Sequence, residues 1–170
     1  MGKIIYSNSE FISLLKESNI KIHTNFFTFD KLKCKYGNYL LISPQTLNFL
    51  IFLDALKNRF PYQITSFYRS PKNPYYGKGT SKHSFSLAID LDPTLEKIIK
   101  LNEDIETKKF MIDSFQGIGF YNNHIHLDWR EANLYWSAVP DSHSSDGWDY
   151  EYFEKFDMAF SHFLGNLKHG

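Results

Sequence analysis

Between residues 85 and 92 the side chains alternate without a break between large apolar residues and small or polar ones. The apolar set is Phe85, Leu87, Ile89 and Leu91, and the other set is Ser86, Ala88, Asp90 and Asp92. Strict alternation is typical of a strand that has one face in the core. We therefore predict a half-buried strand over residues 85–91, with Asp90 on its polar face and Ala88 leaving room for a ligand to approach that face.

A metal ion is the ligand that we expect at this face, because His83 precedes the strand and Asp90 lies on it. Imidazole and carboxylate groups both bind zinc, and a catalytic zinc site uses three protein ligands and leaves a fourth position open. A straight strand would hold the two side chains too far apart for one ion, because it rises about 3.3 Å per residue. We therefore predict a turn or bulge between Ser84 and Ser86.

A second segment, residues 123–129, can supply the third ligand. Its polar residues His124, His126 and Asp128 alternate with apolar ones, so all three lie on one face of a predicted strand. Neighbours on such a face are about 6–7 Å apart, so one imidazole can bind the ion while the next reaches water bound to it. Asp128 could accept the spare ring N–H of a ligand histidine. Arg69, at the end of another predicted strand, could polarise a carbonyl group or bind a substrate carboxylate.

The composition limits the class of protein and its partners. The 170 residues predict a single domain, 1–170, and the nineteen basic and nineteen acidic residues cancel, so we expect no nucleic acid partner. One cysteine, Cys34, excludes a disulfide framework and a Cys-rich zinc cluster. The chain starts without the apolar segment of a secretory signal and has no apolar run long enough to span a membrane. We expect a monomer that is made in the cytoplasm and does not enter membranes.

The pattern along the chain predicts an α+β fold, a small, mainly antiparallel sheet flanked by helices. Helices are predicted over residues 9–18, 44–59, 93–115 with a break near Asn102, and 151–167. Strands are predicted over residues 62–68, 85–91, 117–121 and 124–129. Ser9 and Ser43 are the expected N-caps of the first two helices, and a turn at Asn122-Asn123 is expected to join the last two strands.

Several segments resemble, in order along the chain, motifs of the D-alanyl-D-alanine carboxypeptidase family of zinc peptidases. They are Phe27–Asp30, Ile64–Pro71, Ser81-x-His83 followed by Asp90 with Ala88 between them, and Gly117–Tyr121 followed by His126–Arg130 and Trp136. The resemblance covers residues 26–137 and leaves residues 141–170 as a C-terminal helical extension. It implies the hedgehog/DD-peptidase-like fold, in which helices flank a small antiparallel sheet.

The resemblance also implies roles for individual residues. It implies a Zn²⁺ cofactor bound by His83, Asp90 and His126, with Arg69 as the electrophilic arginine and Ser81 as a contact to a substrate carboxylate. Tyr76, in a loop beside the expected cleft, is our further candidate for contact with the substrate.

Two positions depart from the family pattern. Many relatives carry an acidic general base three residues before the last metal ligand, where this chain has Asn123, and a usual glycine is replaced by Phe67. We expect His124 to act as the base, because it shares a strand face with His126. Asp128 is the second choice for that role.

The function implied by the resemblance is hydrolysis of bacterial peptidoglycan stem peptides by a metal-activated water, at a D-Ala-D-Ala or L-Ala-D-Glu type bond. A phage-type enzyme would reach the cell wall through lysis or injection, whereas a bacterial one could act on recycled wall fragments. The alternative is a catalytically inactive zinc-binding module on the same scaffold that recognises a peptide or partner. A weaker reading is an iron oxygenase, in which His126-x-Asp128 and a distant histidine form the metal triad.

Overall fold

Asp90 lies on the second strand from one edge of a six-stranded sheet in the computed structural model, which describes residues 2–72, 81–92, 95–143 and 147–167. The strands are β3 (Gln63–Ser66), β4 (Ala88–Asp92), β5 (Gly117–Tyr121), β6 (His124–Asp128), β7 (Leu134–Pro140) and β8 (Trp148–Phe153). Their order is β3-β4-β6-β5-β7-β8, and every neighbouring pair is antiparallel except β5 and β7, which are parallel. A separate antiparallel pair joins β1 (Lys3–Ile5) to β2 (Leu40–Ile42).

Helices surround these sheets, which confirms the predicted α+β class. They are α1 (Asn8–Glu17), α2 (Phe29–Leu32), α3 (Pro44–Arg59), α4 (Leu95–Glu103), α5 (Ile105–Ser114) and α6 (Phe156–Leu167). Helix α3 begins as predicted, because the Ser43 side chain accepts from the N–H of Thr46 while the Thr46 side chain accepts from the N–H of Ser43. None of the helices in the described part of the chain is long and apolar enough to cross a membrane.

Alternation along β4 and β6 separates a core face of the sheet from a polar face. Ile89 and Leu91 on β4 and Leu127 on β6 are fully buried in the main apolar cluster. Asp90 and His126 are directly opposite each other in the register and belong to the other face. The predicted orientation of this strand pair is therefore confirmed.

Aromatic side chains join the core face of the sheet to the helices. Phe120 on β5 contacts three rings of α6, those of Phe156, Phe160 and Phe163, at centroid distances of 5.4, 4.9 and 5.6 Å. Phe49 on α3 lies against the rings of Phe67 and Phe115 at 6.2 and 5.8 Å. These packed rings make the sheet a rigid support for whatever its polar face carries.

The chain before β4 folds differently from the predicted strand. Residues Lys82–Phe85 form a 3₁₀ helix, and the hydroxyl of Ser81 caps it by accepting a hydrogen bond from the N–H of His83. Ser86 then adopts the left-handed conformation (φ 55°) and turns the chain into β4, which begins at Ala88.

The predicted turn between Ser84 and Ser86 is thereby confirmed, whereas the predicted inward orientation of Phe85 is wrong. The Phe85 side chain is 49% exposed. It belongs to the 3₁₀ helix, where the period of two does not apply, so its place in the alternating pattern was coincidental.

The C-terminal segment also differs from the prediction, which began a helix at residue 151. Residues Trp148–Phe153 form β8 and pair with β7 in the main sheet, and helix α6 begins only at Phe156. Aromatic residues at every second position favour a strand, and the apparent helical spacing of Phe153 concealed this. Part of the segment 141–170, which we expected to be a helical extension, is therefore an edge strand of the sheet.

Two helix boundaries are also corrected. Ser7, not Ser9, caps α1 by accepting from the N–H of Glu10. The break in the region predicted as one helix falls at Asp104, which caps α5 by accepting from the N–H of Thr107. The predicted helix start at residue 93 lies outside the described residues.

Candidate metal centre

Two neighbouring strands and the 3₁₀ helix bring three donor side chains together. Asp90 on β4 is directly opposite His126 on β6. The 3₁₀ helix places His83 beside them, and the N–H of Arg69 donates to the carbonyl oxygen of His83 (3.2 Å), which fixes this turn against the end of β3.

Three donor atoms form a triangle of short distances. His83 Nε2 lies 3.2 Å from Asp90 Oδ1 and 3.3 Å from His126 Nδ1, and the third side, from His126 Nδ1 to Asp90 Oδ1, is 2.9 Å. His83 and Asp90 are buried, whereas His126 is partly exposed. The group could hold a metal ion.

The backbone of Phe67 determines which nitrogen of His83 faces this triangle. His83 Nδ1 lies 2.6 Å from the carbonyl oxygen of Phe67, which can only accept, so Nδ1 carries the proton. The lone pair of His83 Nε2 therefore faces Asp90 Oδ1 and His126 Nδ1. Phe67 is itself held in the core by its contact with Phe49.

Asp128 determines in the same way which nitrogen of His126 faces the triangle. Its Oδ2 lies 3.0 Å from His126 Nε2 and accepts that ring proton, which leaves the lone pair on Nδ1. Arg130 holds the carboxylate in place through two hydrogen bonds, of which the one from Nε to Oδ1 is 2.6 Å long. Gly117, opposite Asp128, makes room for this arrangement, because a Cβ atom there would lie 2.0 Å from Asp128 Oδ1.

His83 and Asp90 have the protonation states that metal binding requires. Burial lowers the pKa of His83, and the nearby Asp90 only partly opposes this, so His83 is neutral at pH 7. Burial raises the pKa of Asp90, but His83 and His126 outweigh it and hold that pKa well below its usual value. Burial likewise lowers the pKa of His126, yet its hydrogen bonds to Asp128 and Asp90 leave it raised.

When His126 is neutral and its proton is on Nε2, three atoms with lone pairs face one another across 2.9 to 3.3 Å, whereas the protonated ring donates from Nδ1 to Asp90 Oδ1. Such an arrangement is repulsive unless a proton or a metal cation lies between the atoms. Two imidazoles with their other nitrogen already bonded and one ionised carboxylate are the usual donors to a divalent metal. The residues therefore fit a metal ion.

His124 lies at the edge of the triangle. Its Nε2 is 3.8 Å from Asp90 Oδ1, and its Nδ1 donates to Asn123 Oδ1 at 2.6 Å. The ring stacks on Tyr121 with a centroid distance of 4.1 Å and an interplanar angle of 14°. Burial lowers the pKa of His124 to about 4, so its Nε2 carries a lone pair at neutral pH.

Arg69 lies on the other side of the triangle. Its Nη2 donates to Asp90 Oδ2, the oxygen that is not part of the triangle, and its Nε donates to Ser66 Oγ at 3.0 Å. Arg69 also lines a cleft of about 130 Å³ together with Lys31, Lys33 and Lys35. This side of the centre therefore carries several basic side chains, of which Lys33 pairs with Asp30 and Arg69 with Asp90.

The remaining predicted site residues have simpler positions. Ser81 caps the 3₁₀ helix, as described above, and so helps to position His83. Tyr76 lies outside the described residues.

Some contributors to the centre were not identified from the sequence. The acceptor for His83 is a backbone carbonyl, that of Phe67, which has no signature in residue type. In the sequence, Gly119 stands out only as part of the Gly117–Tyr121 motif. In the structure, a Cβ atom at this position would lie 2.2 Å from the indole of Trp136. The signal that could have indicated its role is the period of two between Gly117 and Gly119, which leaves two successive positions on one strand face without side chains.

No protein-family model matches the chain, and a search of curated proteins finds no significant match.

Proposed function

We propose that this protein is a zinc-dependent peptidase that hydrolyses bacterial peptidoglycan stem peptides, at a D-Ala-D-Ala or L-Ala-D-Glu type bond. The observation that carries the proposal is the convergence of three potential metal-ligand atoms, from His83, Asp90 and His126, within 2.9 to 3.3 Å of one another. The family resemblance of residues 26–137 adds the reaction and the class of substrate.

Zinc is the metal that the donor set favours. Tetrahedral zinc with bonds of about 2.0–2.1 Å separates its ligand atoms by roughly 3.3 Å. The observed separations of 3.2, 3.3 and 2.9 Å need little adjustment to reach this geometry. Three protein ligands leave a fourth position for water, as in catalytic rather than structural zinc sites.

Bound zinc would supply a Lewis acid that lowers the pKa of water and polarises the scissile carbonyl group. His124 is the group in position to accept a proton, because its Nε2 points toward the centre while Asn123 holds its Nδ1 proton. Its stacking on Tyr121 fixes the ring in that orientation. His124 therefore takes the role that a carboxylate has in many members of the family that this chain resembles.

Arg69 is proposed to bind the substrate. Its side chain is about a quarter exposed, pairs with Asp90 of the centre and belongs to a residue that also lines the lysine-lined cleft. A guanidinium group in that place can pair with a free carboxylate of the peptide or with a developing oxyanion. Both candidate bonds have a free carboxylate on the residue that follows the bond, so Arg69 fits either of them.

The experiment that tests the proposal measures metal content and peptide hydrolysis together. The purified protein, loaded with zinc, is incubated with murein stem peptides, and new termini are identified by mass spectrometry. We expect one zinc per chain and a single cleavage position. His83→Ala should lose both zinc and activity, whereas His143→Ala, at an exposed histidine, should keep both. Full activity of His83→Ala would refute the proposal.

A second variant separates the base from the ligands. His124→Ala should retain zinc but lower kcat by about 10²–10⁴, the usual contribution of general acid–base catalysis. Loss of zinc from this variant would make His124 a ligand instead of a base.

An inactive zinc-binding module that recognises a peptide or partner is the second candidate. It is favoured by Asn123, which replaces an acidic residue, and by Asp128, whose carboxylate is already engaged by Arg130 and His126. Tight zinc binding without hydrolysis of any murein fragment would support this candidate. Activity gained in Asn123→Glu would then identify the missing base as the reason.

The site of action follows from the substrate. Peptidoglycan lies outside the cytoplasmic membrane, so a phage-type enzyme would reach it through lysis or injection. Action on recycled wall fragments inside the cell is the alternative setting.

A further inference from the structure

The polar face of the sheet continues beyond the metal centre as a surface of aromatic side chains, which we name the aromatic platform. It consists of Tyr121 on β5, Trp136 on β7, and Trp148, Tyr150 and Tyr152 on β8. The register places it on the same face as the metal ligands, because His126 is opposite Gly119, Gly119 is opposite Trp136, and Trp136 is opposite Tyr152. The platform and the centre therefore form one continuous surface.

A series of ring contacts connects His126 and His124 to the outer edge of the platform. Trp136 lies 5.4 Å from the ring of His126, and Trp148 lies 6.1 Å from the ring of His124. Tyr121 contacts Tyr150 at 6.2 Å, and Tyr150 contacts Tyr152 at 6.3 Å with an interplanar angle of only 15°. The two outer tyrosines are thus nearly parallel rings.

Within the described residues, no helix packs on the platform. Helix α6 packs against the opposite face of the sheet through Phe120, so it does not cover these rings. The apolar cluster around Tyr121 and Trp136 contains strand residues alone in the described part of the chain. Exposure rises outward, from the buried Trp136 to Tyr152, whose side chain is 60% exposed.

Charge differs on the two sides of the metal centre. The platform side chains are aromatic rings, three of them tyrosines, and the Arg130 guanidinium that lies 5.3 Å from the Trp136 ring is paired with Asp128. The opposite side has Arg69 and the lysine-lined cleft. A substrate that is neutral at one end and anionic at the other would be oriented by this difference.

We propose that the aromatic platform binds the N-acetylated sugar to which the stem peptide is attached; this inference rests on the proposed function. A pyranose ring presents C–H groups on its face and hydroxyl groups around its edge. Its face can pack on the electron-rich face of an aromatic ring, and its edge can bond with tyrosine hydroxyl groups. The same geometry places the anionic peptide toward Arg69.

The position of the sugar then selects the bond that is cleaved. The L-Ala-D-Glu bond is separated from the sugar by the lactyl group and one residue, about 7 Å of extended chain, whereas the D-Ala-D-Ala bond is about 17 Å away. The platform rings nearest to His124 are the buried Tyr121, at 4.1 Å, and the partly exposed Trp148, at 6.1 Å. A sugar packed on Trp148 would therefore bring the L-Ala-D-Glu bond to the metal centre, whereas Tyr152 lies three strands, or about 14 Å, from His126.

A binding experiment tests the sugar site without any hydrolysis. The probe is the neutral β-1,4-linked tetramer of N-acetylglucosamine, and binding is followed by tryptophan fluorescence and calorimetry. Tyr152→Ala should weaken binding by roughly three- to tenfold, as expected for one aromatic contact. The control is Tyr6→Ala, because Tyr6 is 62% exposed and lies outside the six-stranded sheet. Equal effects of the two variants, or no binding to the unchanged protein, would overturn the proposal.

A kinetic experiment tests the selection of the bond. N-acetylmuramyl-L-Ala-D-Glu-L-Lys is compared with the same tripeptide that carries an acetyl group in place of the sugar. We expect a lower KM for the sugar-bearing substrate, and the advantage should disappear in Trp148→Ala but not in Tyr6→Ala. An equal KM for both substrates would count against the sugar site while leaving the peptidase intact. Sugar binding that depends on Tyr152 without hydrolysis of either substrate would support the sugar site and contradict the peptidase.

Discussion

Asp128 orients the metal centre without belonging to the triangle of donors. It accepts the ring proton of His126 and is held by Arg130. Both contacts could be anticipated from the sequence, because residues two apart on a strand share a face. The matching contact of His83 could not, since its acceptor is the carbonyl oxygen of Phe67, and backbone atoms are the same at every position.

Asp128→Asn should weaken zinc binding about 10- to 100-fold, the usual effect of losing the partner of a ligand histidine. The amide keeps the shape but loses the charge, and its NH₂ group can face His126 Nε2 and favour the wrong tautomer. A competing chelator with a colour change measures the affinity. Asp149→Asn, at an exposed carboxylate on β8, is the control and should bind zinc normally. An unchanged affinity in Asp128→Asn would show that His126 does not depend on this contact.

At the scale of elements, helices and strands with a clear local pattern could be predicted from the sequence. Strands that are decided by their pairing with another strand could not. The hairpin of β5 and β6 and the capped start of α3 were predicted from turn and cap residues. Strand β8 was not, because its aromatic residues also match a helical period, and only its pairing with β7 decides between the two. The 3₁₀ helix before β4 was foreseen only as a required turn.

Strand β5 depends on glycine at position 119. Gly119→Ala should lower the free energy of unfolding by about 1–3 kcal/mol, because its Cβ atom would overlap the buried indole of Trp136. Gly165→Ala is the matched change in helix α6, where the new methyl group meets nothing within 4 Å. It should stabilise the protein by about 0.5–1 kcal/mol. Urea unfolding measures the free energy of unfolding of both variants. Equal effects of the two substitutions would mean that β5 shifts to accommodate the added methyl group.

Helix α5 should show a stability that depends on pH through its cap. Hydrogen bonds from Thr107 lower the pKa of Asp104, so the ionised form is favoured in the folded state. Its contribution is present above the unfolded pKa of about 3.9 and is lost as the pH falls through the lower folded pKa. Asp104→Ala should cost about 1 kcal/mol at pH 7.

Asp104→Asn provides the comparison, because its amide oxygen can cap the helix at any pH. The stability of this variant should change less between pH 5 and pH 2 than that of the unchanged protein, as followed by urea unfolding at each pH. An identical pH dependence would assign the acid sensitivity to other carboxylates.

At the scale of the whole molecule, the metal centre joins parts that are distant in sequence. His83 and His126 are 43 residues apart, and they meet only when β4 and β6 have paired. The unfolded chain therefore lacks the site, and a metal that binds the folded form must stabilise it.

Zinc at 100 times its dissociation constant should stabilise the fold by about 2.7 kcal/mol, which corresponds to a rise in Tm of about 5–10 °C. Thermal unfolding with zinc and with excess chelator measures the difference. His83→Ala should show no such rise, although it folds around the same core. A rise of equal size in that variant would place the zinc elsewhere on the molecule.

The left-handed turn at Ser86 leaves the protein room to become more stable. A residue other than glycine loses about 1–2 kcal/mol in this conformation, and the buried Ser86 hydroxyl has no hydrogen-bond partner among the described residues. Ser86→Gly should therefore raise the free energy of unfolding by up to about 1 kcal/mol in urea, with zinc affinity unchanged. A loss of stability would mean that the serine side chain supports the turn. A gain in stability would allow the protein to tolerate destabilising substitutions near the candidate metal ligands.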